Sequence, residues 1–277
     1  MISVADGVYV ETSFPGANVG CVVTEQGVVV IDTPMLPEEA DTLRRELGRL
    51  TQREVAYVVY THQHFDHVMG AAYLTRRAIA CSAAVSGIAR LRTGLESELS
   101  LFSPDLYRER KEMFDGLDIV LPQITFDTEL GMHMGDADLA LSFVGGHSSA
   151  SIIIHVPQAR VLFAGDNVVT GQLPVTANGR FGPWIALLER IEGMELDVIV
   201  PGHGEVCGKD GVSAIRRYFE AMRDRVREMA GAGASREDVA QGIDLRDCLP
   251  VPVSEEATAQ AAFDAARMYD QMAKGLL

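Results

Sequence analysis

The sequence predicts an α/β fold of sheet layers with helices packed outside them. Three observations carry that prediction. Short valine-rich runs are separated by turn residues, helical segments lie between those runs, and the C-terminal stretch carries an apolar stripe every 3.6 residues.

In order along the chain, GVYVE (7–11), VGCVVT (19–24) and GVVVID (27–32) read as strands, punctuated by Pro/Gly/Asn and Gln-Gly turns. Pro37 opens a helix to about Leu50: proline suits the first turn, and Glu38 and Glu39 complement the helix dipole. EVAYVVY (54–60) is a buried strand running straight into Thr61-His62. Residues 84–95 and 104–115 read as helices. Strands return at 124–127, 138–144, 151–156 and 160–165, followed by a short helix at 183–192 and a last strand, DVIVP (197–201). From Gly211 the chain reads as helical, with Val212, Ile215, Tyr218, Phe219, Met222, Val226 and Met229 on one face. GAGAS (231–235) is a turn whose serine can cap the next helix, and Ser254 begins a final helix over 254–273. No repeat or linker interrupts this order. Residues 1–277 are therefore expected to form a single domain, with a helical insertion at about 84–115 and a helical tail from about 211.

A chain of 277 residues, 47 % of them hydrophobic, can bury a large core. Its formal net charge is −15, and its only lysines are Lys111, Lys209 and Lys274. Such a surface repels phosphate backbones, so no nucleic-acid partner is expected. No apolar run reaches the roughly 18 residues of a spanning helix, so no membrane partner is expected either. The opening MISVADGVYVETS lacks the basic and apolar regions of a signal peptide, and Cys21, Cys81, Cys207 and Cys248 form no CxxC pair. Both features point to reduced thiols and a cytoplasmic location.

The chemistry concentrates in His62-Gln63-His64-Phe65-Asp66-His67, which holds three of the seven histidines. The string begins where a buried strand ends, a place where loops present functional groups over a rigid scaffold. Alternate residues at a strand end point the same way, so His62 and His64 can converge on one ion. Asp66 and His67 follow as the chain turns into a helix and can face a second ion. Imidazole and carboxylate suit zinc, and also iron or manganese. Gly145-Gly146-His147, Gly165-Asp166 and Gly202-His203-Gly204 each follow a predicted strand. In each, glycine allows the tight backbone that brings a short side chain to a metal.

Together with Val30-Ile31-Asp32-Thr33-Pro34, these motifs resemble the metallo-β-lactamase superfamily over roughly residues 1–210. The resemblance implies the αβ/βα sandwich, two mixed sheets face to face with outer helices. It also implies a dinuclear metal centre of two zinc ions, with iron or manganese as alternatives. His62, His64 and His147 would hold the first metal, Asp66, His67 and His203 the second, and Asp166 would bridge both. An aspartate at position 166 resembles the glyoxalase II, lactonase, phosphodiesterase and alkylsulfatase branches more than the β-lactamases. A homodimer is a family-level expectation.

The implied function is hydrolysis of a small acyl substrate (an ester, thioester or lactone) by a metal-bridging hydroxide, with Asp66 as the catalytic residue that orients it. Asp32 is expected to anchor a ligand histidine. Phe14, Asn18 and Trp184 are the candidate substrate contacts, and Arg180 and Lys209 the candidates for meeting a substrate carboxylate. His133, His155 and Cys207 are expected to be structural or inert. The competing classes are an iron-dependent persulfide dioxygenase-like oxidoreductase, a β-lactamase or phosphodiesterase, and a non-catalytic binding protein. The complete second ligand set argues against the oxidoreductase and the binding protein.

Overall fold

The computed structural model describes residues 1–102, 104–114 and 117–277. Its strands form two sheets, each in sequence order. The first contains β1 (Ile2–Ala5), β2 (Val8–Glu11), β3 (Val19–Thr24), β4 (Gly27–Ile31), β5 (Val55–Val59), β6 (Ala78–Cys81) and β7 (Ile124–Phe126). Pairing is antiparallel from β1 to β4 and parallel from β4 to β7. The second contains β8 (Glu129–His133), β9 (Asp138–Phe143), β10 (Ile152–Val156), β11 (Val161–Val169) and β12 (Val198–His203). It is antiparallel except for the parallel β11–β12 pair. The helices are α1 (Pro37–Leu50), α2 (Phe65–Val68), α3 (Val85–Phe102), α4 (Pro104–Phe114), α5 (Phe181–Gly193), α6 (Lys209–Gly231), α7 (Arg236–Gly242) and α8 (Glu255–Ala273).

The layering follows from the two-residue period of a strand. Ile152, Ile154 and Val156 of β10 and Val161 and Phe163 of β11 join a core with Val10, Val22, Val30 and Val58 of the first sheet. Ile153, Leu162 and Ala164 point the other way, into a second core with Trp184, Leu188, Phe219, Met222, Ala265 and Met268. Both faces of β10 and β11 are therefore buried, which is why they read as unbroken apolar runs. The sheets pack tightly at Gly20, where an added Cβ would lie 2.2 Å from the Phe163 ring.

The α6 stripe lies as the periodicity requires: Val212, Ile215, Tyr218, Phe219, Met222 and Val226 are buried, and Met229 packs beside them. Ser235 caps α7, its Oγ accepting from the Asp238 N–H at 3.1 Å. Three differences from the sequence reading stand out. β8 lies where no element is predicted; it is an edge strand with only Met132 buried, so its alternation is faint. β11 continues to Val169 and contains Asp166, rather than stopping before it. β1 and β6, too short for a clear period, were not expected at all. Among the described residues no helix is long and apolar enough to cross a membrane.

At one edge, backbone hydrogen bonds tie the sheets together: Asn18 N–H donates to Gly202 O (2.7 Å) and Ile152 N–H to Thr61 O (2.8 Å). Thr61 precedes His62 and Gly202 precedes His203. The predicted ligands collect at this stitched edge.

Candidate metal centre

The seven candidate ligands arrive from five places. His62 and His64 follow β5, Asp66 and His67 lie on α2, His147 follows β9, Asp166 sits within β11, and His203 ends β12. They form two adjacent clusters, in each of which the ligand atoms lie within 4.8 Å of one another: His62, His64, His147 and Asp166, and then Asp66, His67 and His203. In the first, His64 Nδ1 is 2.9 Å from His62 Nε2 and 3.0 Å from His147 Nε2. Asp166 Oδ2 is 3.8 Å from His62 Nε2 and 3.5 Å from His147 Nε2. In the second, Asp66 Oδ2 is 3.2 Å from His203 Nε2 and 3.6 Å from His67 Nε2. The other Asp166 oxygen, Oδ1, faces this cluster, 3.2 Å from His67 Nε2 and 3.4 Å from His203 Nε2. Asp166 thus offers one oxygen to each cluster.

Backbone geometry makes room for this carboxylate. A Cβ on Gly202 would lie 1.9 Å from Asp166 Oδ1, so β12 must carry glycine beside it. Asn18 holds the same turn, donating its Nδ2 to Pro201 O (2.9 Å) and Gly204 O (2.8 Å).

Outer partners fix the imidazoles. His67 Nδ1–H donates to Asp32 Oδ2 at 2.8 Å, which leaves Nε2 facing the cluster. Asp32 also accepts from Thr61 N–H and Thr61 Oγ1–H, both at 2.7 Å. Its φ of 58° is one of two left-handed non-glycine conformations among the described residues. His147 Nδ1–H donates to Val175 O at 3.0 Å, and His147 N–H donates to Asn167 Oδ1 at 2.9 Å.

Electrostatics separates the clusters. Burial lowers His62 well below the ordinary imidazole value, with the neighbouring histidines adding to the effect. Burial also lowers His147, to about 4, against the pull of Asp166. His203 goes the opposite way: burial would lower it, but Asp166 and Asp66 outweigh burial and push it up to about 10. The same balance raises His67 well above its usual value. Burial would also raise Asp66 and Asp166, yet the adjacent histidines hold both below the carboxylate range. The second cluster is therefore a pocket that demands positive charge. His67 Nε2 and Asp166 Oδ1 are buried there without a hydrogen-bond partner. Orphaned, converging nitrogen and oxygen donors of this kind fit divalent cations such as zinc, iron or manganese.

The clusters open into a cleft of about 850 Å³, walled by the loop at Pro15 and Gly16, by Met35 and Phe65, by α3, and by residues Gln172, Val175, Ala177 and Asn178. The expected substrate contacts need correction. Trp184 is fully buried beneath the site, its Nε1–H donating to Asn167 O (2.9 Å) and its ring edge-on to His147 with centroids 5.6 Å apart. Asn18 is buried as the clamp on the His203 turn. The loop carrying Phe14 does border the cleft, but Phe14 packs against the core while Pro15 and Gly16 face the opening. Neither Arg180 nor Lys209 lines the cleft; the arginine that does is Arg90 on α3. Gly87, Arg90, Leu91, Gly94, Ser97 and Glu98 form the cleft-facing side of that helix, at 3.6-residue spacing. Which side of α3 met the cleft was not visible in the sequence. His133 is exposed against Asp138, and His155 lies in β10, both away from the cleft. Burial raises the Cys207 thiol to about 11, away from the thiolate form that reacts.

The model of the metallo-beta-lactamase superfamily matches residues 13–203. A linear primary-alkylsulfatase of Pseudomonas sp. (strain ATCC 19151) is 22 % identical over 227 residues, 69 % of this chain and 42 % of the alkylsulfatase. A human acyl-coenzyme A thioesterase, MBLAC2, is 28 % identical over 212 residues, 70 % of this chain and 75 % of the thioesterase. The structure of a sec-alkylsulfatase, Pisa1 from Pseudomonas sp., superposes on 100 % of this chain with a TM-score of 0.76 at 16 % identity. The chain spans half the length of that structure. The two mixed sheets with outer helices are the αβ/βα sandwich that the motifs implied.

Proposed function

The chain belongs to the metallo-beta-lactamase superfamily, and on that premise we propose that it is a dinuclear metal-dependent hydrolase of a small ester, thioester or lactone. The observation that carries this reading is Asp166, whose two oxygens face two separate clusters of neutralisable nitrogen and oxygen donors. Bound there, divalent ions such as zinc supply Lewis-acid polarisation and a water acidic enough to attack near neutral pH. His62, His64 and His147 would hold one ion, and Asp66, His67 and His203 the other. Asp66, at the cleft wall and held ionised by His67 and His203, would orient the attacking water and take its proton. The cleft is of a size that suits a small molecule. Arg90 is placed to meet an anionic end of the substrate.

A second reading is hydrolysis of an alkyl sulfate ester. Likeness to two alkylsulfatases, one covering the whole chain, favours it, and Arg90 suits it equally.

The test is elemental analysis of protein purified without chelators, followed by a hydrolysis screen across carboxylic esters, thioesters, lactones, alkyl sulfates, phosphodiesters and β-lactams. Two metal ions per chain, with turnover lost on chelation, is the expected result. One iron per chain with oxygen uptake on a persulfide would move the protein into the oxidoreductase class. No metal would overturn the reading.

A further inference from the structure

The C-terminal helix α8 lies outside the residues matched by the family model, yet it reaches the segment that borders the first cluster. Residues 170–180, between β11 and α5, supply the outer partner of one first-cluster histidine and border a second. Val175 O accepts from His147 Nδ1–H, and the Asn178 amide lies 3.3 Å from His64 Nε2. The segment has no regular secondary structure of its own, so something else must fix it. Thr176 is completely buried, and its Oγ1–H donates to Asp264 Oδ1 at 2.6 Å. Asp264, also completely buried, is steadied by Tyr218 O–H (3.1 Å, from α6) and Gln260 Nε2–H (2.9 Å). Two turns further along α8, Gln271 Nε2–H donates to Gly179 O at 2.8 Å while its Oε1 accepts from Phe181 N–H at 3.0 Å. Arg267 Nη2–H reaches the same Gly179 oxygen at 3.2 Å.

Resting on the metal-centre reading above, we propose that α8 is a positioning element for the first metal cluster. Asp264 and Gln271 pin Thr176 and Gly179, and the pinned segment aims the Val175 carbonyl at His147 Nδ1–H and sets the Asn178 side chain beside His64. Val175 lies next to Thr176, so the lock on one fixes the carbonyl of the other. Asn178 is likewise bracketed, between Thr176 and Gly179. Groups that orient a ligand imidazole set its tautomer and ring angle, and their loss typically weakens metal affinity about 10–100-fold.

The experiment measures zinc affinity by competition with a chromophoric chelator. It is done in a His203→Ala background, which leaves the first cluster to report, and in a His147→Ala background, which leaves the second. Thr176→Val removes only the hydroxyl that meets Asp264, Thr176→Ser keeps it, and Gln271→Met removes both amide contacts. The expected result is a loss of about tenfold or more at the first cluster for Thr176→Val and for Gln271→Met, wild-type affinity for Thr176→Ser, and no change at the second cluster. A purely structural role for α8 would weaken both clusters together or neither; either outcome overturns the proposal. If Thr176→Val loses its fold, Gln271→Met decides by the same titration. Absence of zinc binding in the unmodified protein would instead defeat the metal-centre reading itself.

Discussion

In the first cluster three imidazoles face a single carboxylate oxygen, whereas in the second two imidazoles face two carboxylates. That difference in charge sets the protonation state of otherwise similar side chains. Burial among other histidines strips protons from His62 and His147, so both already stand in the neutral form a metal ion requires. Asp66 and Asp166 keep protons on His67 and His203, which in the metal-free protein take the place of a cation. The supports differ as well. His67 leans on Asp32 and Thr61 at the ends of β4 and β5, part of the rigid first sheet. His147 leans on an irregular segment held from the tail helix. One cluster is built on a sheet, the other on a pinned loop.

The largest expected effect comes from abolishing what the clusters share. Asp166→Ala should take metal content from two ions to one or none and lower kcat about a thousandfold, since metal polarisation is worth several kcal/mol of barrier. Wild-type metal content and turnover in that variant would remove the bridging role. Next in size is the difference in proton release. Zinc uptake at pH 7 should displace protons from His67 and His203 at the second cluster and none from His62 and His147 at the first. Calorimetric titration in buffers of different ionisation enthalpy reads this directly, and equal release from the two single-cluster variants would contradict the contrast.

The smallest effect concerns stability in the tail. Burial raises the Asp264 carboxyl from 3.8 to about 6, against the hydrogen bonds from Thr176, Tyr218 and Gln260. The folded protein therefore holds this proton more tightly than the unfolded chain. Its stability contribution is greatest below pH 4, declines as pH rises from about 4 to about 6, and is flat above that. The span is about 3 kcal/mol at most. Asp264→Asn cannot ionise, so the wild-type-minus-variant difference in unfolding free energy should slope across that window. A flat difference would mean that Asp264 titrates normally.

Much of this site was legible in the residues. The string from His62 to His67 carries its own geometry, because a strand end followed by a helix start separates two pairs of donors by local backbone alone. The Gly-His and Gly-Asp turns marked the distant donors for the same local reason. The substrate-facing residues were not legible. Trp184 and Asn18 carry the same polar and aromatic groups whether they face a ligand or brace a histidine, and only packing decides which. Arg90 lay in a segment read as helical, but helicity does not say which side of the helix meets a cleft.

The sequence by itself determined the α/β class, the position of most strands and helices, and the seven candidate donors that the fold brings together. These depend on period, turn chemistry and donor type, which are local. Only the tertiary structure decided that Asp166 divides its oxygens between the clusters, that α3 walls the cleft, and that Asp264 and Gln271 meet Thr176 and Gly179. Each of these joins residues far apart in the chain. Their meeting is fixed by the packing of two sheets and a tail helix, and no local pattern encodes that packing.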